Sequence, residues 1–314
     1  MDVQATTGNK SLRFLGYGIL TLASLVGIWA IVIRLREGLI VTNMTQLVPW
    51  GFWIAFYIYF IGLSAGSFLL STLVYVFGVK RFEAVGPLAL FQALACLLMG
   101  MFLIFIDLGH PERFLNVFIH WNWTSVLAWE SLFYVFYTII ILAELYYVLR
   151  PALARRARTG TSLNWLYRLL ARGDQDPGPE WRERASRRMR ILGLIGIPVA
   201  IGVHGGTGAI FAVVKSRPTW YTGLFPIIFL VSALASGGAL LTFLAAATSK
   251  FHAAKKLELV RGLARLTVAV LAFDLLLEFS EILVVFYGGI PRHITGWHNI
   301  LFGPFWWMFW FVQL

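Results

Sequence analysis

Eight apolar segments, each about as long as a bilayer is thick, dominate this chain of 314 residues. Roughly 20 residues of α-helix cross the hydrocarbon core, where a segment must satisfy its backbone hydrogen bonds internally. Helices are therefore predicted at residues 14–33, 50–78, 84–106, 123–149, 190–214, 220–248, 261–288 and 299–314. A content of 59% hydrophobic against 13% charged residues excludes a soluble globular domain. The predicted fold class is all-α transmembrane.

The two terminal segments need separate interpretation. The first is too long for a signal-peptide core and lacks a small-residue cleavage site, so it is predicted to remain as a helix. The last is still apolar where it reaches Leu314. Because a spanning helix normally ends in a polar flank, we expect a chain truncated at its C-terminus, with one to three further helices following.

The positive charges predict the topology. Residues 150–190 contain eleven arginines against four acids, and the loops on the same side bring the total to 20 Lys and Arg against six on the other side. Positive loops stay in the cytoplasm, so the N-terminus is predicted to be cytoplasmic and the protein to lie in the inner (cytoplasmic) membrane. Nucleic-acid binding would also use arginines, but the loop lacks interleaved aromatic residues or a recognisable module.

A weak internal repeat divides the chain. Gly-Leu-Ser-Ala-Gly-Ser-Phe-Leu-Leu-Ser at residues 62–71 aligns with Ala-Leu-Ala-Ser-Gly-Gly-Ala-Leu-Leu-Thr at residues 233–242, an offset of 171. The offset spans four helices and preserves orientation, so two parallel-related four-helix bundles are predicted. They would comprise residues 1–149 and 190–314, joined by a basic cytoplasmic loop at 150–189. The small residues themselves suit close helix packing.

Titratable groups collect near the outer ends of the helices. Residues 106–114, Ile-Asp-Leu-Gly-His-Pro-Glu-Arg-Phe, place Asp107, His110 and Arg113 where the third helix leaves the membrane. Within predicted spans lie Glu130, His204 and a stripe of three acids on the seventh helix: Asp274, Glu278 and Glu281. Because charges are unfavourable in hydrocarbon, these six acids and histidines, Asp107 included, suggest a proton or ion path. The alternatives are snorkelling charges at a helix end and structural hydrogen bonds between helices.

Several cofactors are excluded by residue counts. The single cysteine, Cys96, cannot hold an iron–sulfur cluster, and no Cys-x-x-Cys-His is present for attached haem. A b-type dihaem subunit needs four histidines within spans, and only His204 is placed there. No metal motif or nucleotide fingerprint appears.

Three stretches together resemble the NrfD-type, polysulfide-reductase-like (NrfD/PsrC) membrane subunits. They are residues 42–53, Thr-Asn-Met-Thr-Gln-Leu-Val-Pro-Trp-Gly-Phe-Trp, the small-residue run at 62–71, and Asp-Leu-Gly-His-Pro-Glu-Arg-Phe at 107–114. The long charged loop is more similar to the larger, ten-helix branch. The resemblance implies a quinone-interacting subunit of a respiratory oxidoreductase complex, without its own redox cofactor. It implies a ferredoxin-like iron–sulfur partner on the outer face and a further catalytic molybdopterin or cytochrome subunit.

A quinone site requires an apolar slot, hydrogen-bond donors for two carbonyls and a route for two protons. The outer helix ends supply suitable side chains, and a histidine there can pass protons at physiological pH. The predicted residues binding menaquinone or ubiquinone are Asn43, Gln46, Trp50, His110 and Arg113, with Asp107 able to orient His110. A proton- or ion-coupled secondary transporter is the alternative function, although such proteins usually carry an inverted repeat. A purely structural membrane anchor would not explain three acids on one stripe of the seventh helix.

Overall fold

The computed structural model describes residues 7–45, 48–158, 164–173, 177–248 and 253–313. All the regular structure within these residues is helical. The α-helices are α1 (Thr7–Glu37), α2 (Phe52–Tyr75), α3 (Gly86–Asp107), α4 (Asn116–Ile119), α5 (Val126–Arg156), α6 (Asn164–Ala171), α7 (Pro179–Ala212), α8 (Phe225–Thr248), α9 (Ala253–Gly288), α10 (Pro291–Phe302) and α11 (Trp306–Met308). The 3₁₀ turns are Gly38–Val41, Lys80–Val85 and Pro111–Arg113, and a π-helical turn covers Phe309–Gln313.

The predicted all-α transmembrane class is confirmed. Six described helices, α1, α2, α3, α5, α7 and α8, are long and apolar enough to cross a membrane. The seventh predicted span lies in α9, a helix of 36 residues that carries the acid stripe in its apolar half. The segment predicted as one helix over 299–314 is divided instead: α10 ends at Phe302, and Gly303 and Pro304 separate it from α11. Proline lacks the N–H that would continue the helix, and it clashes with the preceding turn.

The chain forms two compact units, of which the first comprises Met1–Tyr57 and Met101–Leu115. Its main elements are α1, the segment leading into α2, and the C-terminal end of α3 with the following loop. Gly38 ends α1 with a φ of +75°, a conformation that glycine adopts without steric penalty. Large apolar side chains of α1 from Phe14 to Trp29 are exposed, as expected for a helix that faces lipid.

The second unit comprises Ile58–Gly100 and Asn116–Leu314. Inside it, α5 packs on α7, α7 on α8 and α8 on α9. The two repeat copies meet in this unit, because a Cβ placed on Gly66 would lie 2.8 Å from Gly237 Cα, and one placed on Gly237 would lie 2.7 Å from Gly66 Cα. Residues 66 and 237 are related by the repeat offset of 171. The small residues therefore let the backbones of α2 and α8 touch at equivalent positions.

An apolar core lies beside this crossing, towards the ends of α2 and α8 and the starts of α3 and α9. Its buried residues come from all four helices and the turn before α3: Leu70, Val74, Phe82, Val85, Ala89, Leu241, Ala245, Leu259 and Leu263. The buried polar side chains of Glu130, His204 and Asp274 also belong to this unit.

Candidate functional site

A buried arginine organises the C-terminal end of α3 in the first unit. Arg34, at 2% exposure, donates from Nε to the carbonyl oxygen of Ile106 at 2.9 Å and from Nη2 to that of Leu108. It therefore satisfies two of the carbonyl groups that a helix C-terminus leaves without partners. Its guanidinium also lies 5.8 Å from the ring centroid of Trp53, within the range of a cation–π contact.

Asp107 lies within the same arrangement. Its carboxyl group interacts electrostatically with Arg34. Asp107 Oδ1 is buried and has no hydrogen-bond partner within the part of the chain that the structure describes. A buried carboxyl oxygen that is not hydrogen-bonded is unfavourable in a purely structural site. This atom is therefore a candidate for binding a ligand or a proton.

His110 pairs with Glu112 in the turn after α3. The distance from His110 Nδ1 to Glu112 Oε1 is 2.9 Å, and Arg113 Nε lies 3.8 Å from the same oxygen. The sequence predicts that Asp107 orients His110. In the structure, the partner of His110 is instead Glu112, two residues further along the chain. All three side chains of this turn are about two-thirds exposed, at 64–66%. The backbone N–H of Glu112 and the bond from His110 lower the pKa of the Glu112 carboxyl group.

The segment entering α2 carries the other predicted quinone residues. Asn43 is exposed and Trp50 is half-buried, whereas Gln46 lies outside the described residues. Thr45 and Val48 exchange two backbone hydrogen bonds of 3.1 Å. Trp53, at the start of α2, brings this segment to Arg34 and so to the end of α3. Arg34 thus contacts both the end of α3 and the start of α2.

A polar cluster between α5 and α7 surrounds Glu130 in the second unit. Glu130 is 1% exposed and its Oε1 accepts hydrogen bonds from the hydroxyls of Thr207 and, at 3.3 Å, Tyr134. Gly206 makes room for it, since a Cβ there would lie 3.4 Å from Glu130 Cγ. Within the regular helix α7, Gly206 and Gly208 therefore serve close packing, against Glu130 and Pro226.

His204 continues this cluster one turn along α7. Its ring contacts Tyr137 edge-on, with 6.0 Å between centroids, and the described residues offer no hydrogen-bond partner to its buried Nε2. The Tyr137 hydroxyl donates to the carbonyl oxygen of Ser64 at 3.2 Å and lies 3.3 Å from the Ser64 hydroxyl. Polar groups of α2, α5 and α7 thus meet near the middle of the bundle.

Glu144 extends the same face of α5 further along the helix. It is 1% exposed, interacts with Ser71 of α2, and its Oε2 has no hydrogen-bond partner among the described residues. From Glu130 to Glu144 the helix rises about 21 Å at 1.5 Å per residue, most of the thickness of a hydrocarbon core. The buried polar stripe on α5 therefore spans much of the membrane.

A second cluster joins α8 and α9. The Ser232 hydroxyl lies 2.8 and 2.7 Å from the two carboxyl oxygens of Asp274. Glu281 is 9% exposed and interacts electrostatically with Glu278. The predicted acid stripe therefore does face protein along part of its length. The other predicted path residues are divided: Glu130 and His204 lie in the α5–α7 cluster, and Asp107 lies in the other unit.

Several of these residues are not singled out by sequence reasoning. In the sequence, Arg34 is one of six Lys and Arg residues predicted to lie outside the cytoplasm. Its hydrogen-bond partners are 72 and 74 positions away. Tyr134, Tyr137 and Glu144 do carry a signal, because they follow Glu130 at i+4, i+7 and i+14, one face of a helix.

The fold and these buried polar clusters define a polytopic α-helical membrane protein with titratable groups held inside the bundle. The chain belongs to the family described as polysulphide reductase, NrfD, whose sequence model matches residues 40–314. It is 44% identical over 311 residues to a selenate reductase subunit of Mesobacillus selenatarsenatis, covering 96% of this chain and 72% of that protein.

Two further relatives are more distant. The chain is 31% identical to the Hdr-like menaquinol oxidoreductase integral membrane subunit of Archaeoglobus fulgidus, over 78% of this chain and 54% of that protein. It is 24% identical to protein NrfD of Escherichia coli, over 62% of this chain and 58% of that protein. The chain thus spans a little over half the length of these two relatives. The predicted family is confirmed.

Proposed function

We propose that this protein is the quinone-interacting membrane subunit of a respiratory oxidoreductase complex. It would exchange two electrons between the quinone pool and an external iron–sulfur subunit, while two protons leave the quinol or join the quinone. Support comes from the family and from relatives whose names include a reductase subunit and a menaquinol oxidoreductase subunit. The observation that carries the proposal is buried Arg34, which bonds to the end of α3 just before the His110 turn and lies 5.8 Å from the Trp53 ring at the start of α2.

The roles of the residues follow from their chemistry. His110, paired with Glu112, is suited to accept a proton from a quinol hydroxyl or return one to the quinone oxygen. Arg113, Asn43, Gln46 and Trp50 would contact the head group of menaquinone or ubiquinone. The exposure of His110 and Arg113 leaves them accessible to such a ligand.

The test is His110→Ala in the assembled complex. We expect quinone-linked turnover to fall at least about tenfold, since a general acid–base group typically contributes about 10²–10⁴-fold to the rate. His120→Ala is the matched control, because His120 is also exposed and lies in the same loop between α3 and α5. Unchanged turnover in an intact His110→Ala complex, or an equal loss in the control, would refute the site.

We also propose that the buried acids relay protons. Glu130 and His204 would serve in the α5–α7 cluster, Asp274, Glu278 and Glu281 in the α8–α9 cluster, and Asp107 near the quinone. What supports this is that hydroxyl groups contact the acids, as Thr207 contacts Glu130 and Ser232 contacts Asp274. Such groups can pass protons through short chains with water.

Asp274→Asn tests the relay, because it keeps the shape and removes the titration. We expect slower quinone turnover and a smaller membrane-potential signal in proteoliposomes. Glu258→Gln on the same helix is the control, since Glu258 is exposed and its nearest charged partner, Arg81, is 4.0 Å away. If both signals survive Asp274→Asn, the acid stripe is structural.

Because we propose that the chain carries no redox centre of its own, partner subunits must supply those centres. We propose a ferredoxin-like iron–sulfur subunit on the outer face, a further molybdopterin or cytochrome subunit, and an inner-membrane location with the N-terminus in the cytoplasm. The positive charge of residues 150–190 supports the orientation. Two four-helix halves, 1–149 and 190–314, are supported by the contact between Gly66 and Gly237.

A further inference from the structure

The short helix α6 has an exposed apolar face. Trp165 and Leu169, four residues apart, are 66% and 67% exposed, and Leu170 is 48% exposed. The exposed Arg168 lies between them on the chain. A short helix that presents Trp, Leu and Arg together is typical of segments that lie in the plane of a membrane surface.

Contacts with α5 place α6 at the level of the membrane boundary. Arg150 Nε of α5 donates to the carbonyl oxygen of Ala171 at 3.0 Å, and Arg172 lies 5.9 Å from the ring centroid of Tyr146. Tyr146 is 20 residues from Val126, the start of α5, which is about 30 Å of helix and equals the thickness of a hydrocarbon core. The end of α6 is therefore level with the lipid headgroups on that side.

Three arginines at this level contact aromatic residues. Arg150 lies 4.5 Å from the ring centroid of Trp181, Arg172 is over Tyr146, and Arg188 Nη1 donates to the Tyr147 hydroxyl at 3.2 Å. Tyr146 and Tyr147 are themselves in contact, with ring centroids 5.5 Å apart. Arg172 thus lies over the Tyr146 ring and Arg188 is bonded to the hydroxyl of the adjacent Tyr147, and both arginines are exposed.

The surrounding charge is strongly unbalanced. Residues 164–173 and 177–190 contain seven arginines and two acids, and one of those acids, Glu180, lies 3.5 Å from Arg184. Guanidinium groups bind phosphate oxygens in a planar, two-point geometry. Cations pre-positioned at headgroup depth, beside exposed apolar side chains, complement the phosphate and the acyl chains of one molecule.

We propose that α6 and the start of α7 form a binding site for an anionic phospholipid, with Arg172 and Arg188 on its phosphate and Trp165 and Leu169 against its acyl region. This site goes beyond the quinone chemistry and is independent of it. It gives the basic segment a specific ligand in addition to its part in topology.

The double substitution Arg172→Gln/Arg188→Gln tests the site in the full complex reconstituted in nanodiscs. Spin-labelled phosphatidylglycerol and phosphatidylcholine report which lipid associates with the protein. We expect wild type to prefer phosphatidylglycerol, and the variant to lose about fivefold of that preference per arginine, the factor for one basic residue near an anionic surface. Lys255→Gln/Lys256→Gln removes the same charge from the start of α9 and should leave the preference intact.

Four outcomes would overturn the proposal. The first three are no preference in wild type, an equal loss in the lysine control, and loss of a protein subunit from the arginine variant with its lipid preference unchanged. Displacement of phosphatidylglycerol by inorganic phosphate alone would also overturn it, because the site would then take the free ion.

A second measurement does not depend on the arginine variant folding. A nitroxide on Leu169→Cys, with Cys96→Ala removing the buried thiol, should collide more with oxygen than with a water-soluble relaxing agent. A label on Ser186→Cys, which is exposed on α7, should show the reverse order. Equal accessibility at the two positions would place α6 outside the lipid and refute the acyl contact.

Discussion

Replacing Arg34 with leucine should damage both the stability of the protein and the geometry of the proposed site at the end of α3. The substitution removes two hydrogen bonds to carbonyl groups of α3, the electrostatic partner of Asp107 and the contact with Trp53. Breaking a buried ionic arrangement by deleting one partner typically destabilises by about 3–5 kcal/mol. Leu108 is 37% exposed, so water can replace part of the lost bonding at that end, and we expect the lower part of the range, about 3 kcal/mol.

The assay has two parts, thermal unfolding of the purified complex and quinone-linked turnover of the fraction that remains folded. Arg36→Leu is the control, because Arg36 is an exposed arginine two residues along the same helix. The double variant Arg34→Leu/Asp107→Asn should recover part of the lost stability, since it no longer leaves a carboxyl group beside an apolar side chain. The reasoning is refuted if Arg34→Leu unfolds like the control and retains full turnover.

Three more substitutions test other parts of the structure. Gly66→Ala should destabilise by about 1–3 kcal/mol, because its Cβ would meet backbone atoms of α8 at 2.7–2.9 Å, whereas Gly205→Ala has open space and should be neutral by thermal unfolding. Glu144→Gln should keep the fold but slow proton-coupled turnover if the α5 stripe carries protons, and a normal membrane-potential signal would argue against that use. The lowered pKa of Glu112 means that its bond with His110 is present above that pKa and lost as the pH falls through it. The acidic limb of the pH–rate profile should therefore disappear in Glu112→Gln, and a persisting limb would assign it to another group.

The polar clusters of the two units differ in how far their side chains are exposed. In the second unit, Glu130, His204 and Glu144 are at most 2% exposed and lie between packed helices. In the first, the side chains of the His110 turn are largely exposed, whereas Arg34, which bonds to the end of α3, is buried. A ligand that reaches the His110 turn thus meets exposed side chains next to a helix end that Arg34 holds in place. This arrangement suits a site that must admit a membrane ligand and still position one histidine.

The spanning helices and the family could be predicted from the sequence because the bilayer restricts a chain so strongly. Backbone groups in hydrocarbon must bond within one helix, so length and apolar composition alone locate α1, α2, α3, α5, α7 and α8. The motifs at residues 42–53 and 107–114 were sufficient to indicate the NrfD family. The acid stripe on α9 was also predictable, since residues at i, i+4 and i+7 share a helix face.

Only the tertiary structure decided which polar groups meet. The partners of Arg34 are 72 and 74 residues away, and Thr207 is 77 residues from Glu130, so no local pattern relates them. The repeat at an offset of 171 indicated two similar halves, but that Gly66 and Gly237 touch is a matter of helix packing. Local periodicity shows which face of a helix is buried. Which helix covers that face depends on side-chain shapes along the whole span, and this is why the proton groups predicted as one path lie in separate clusters.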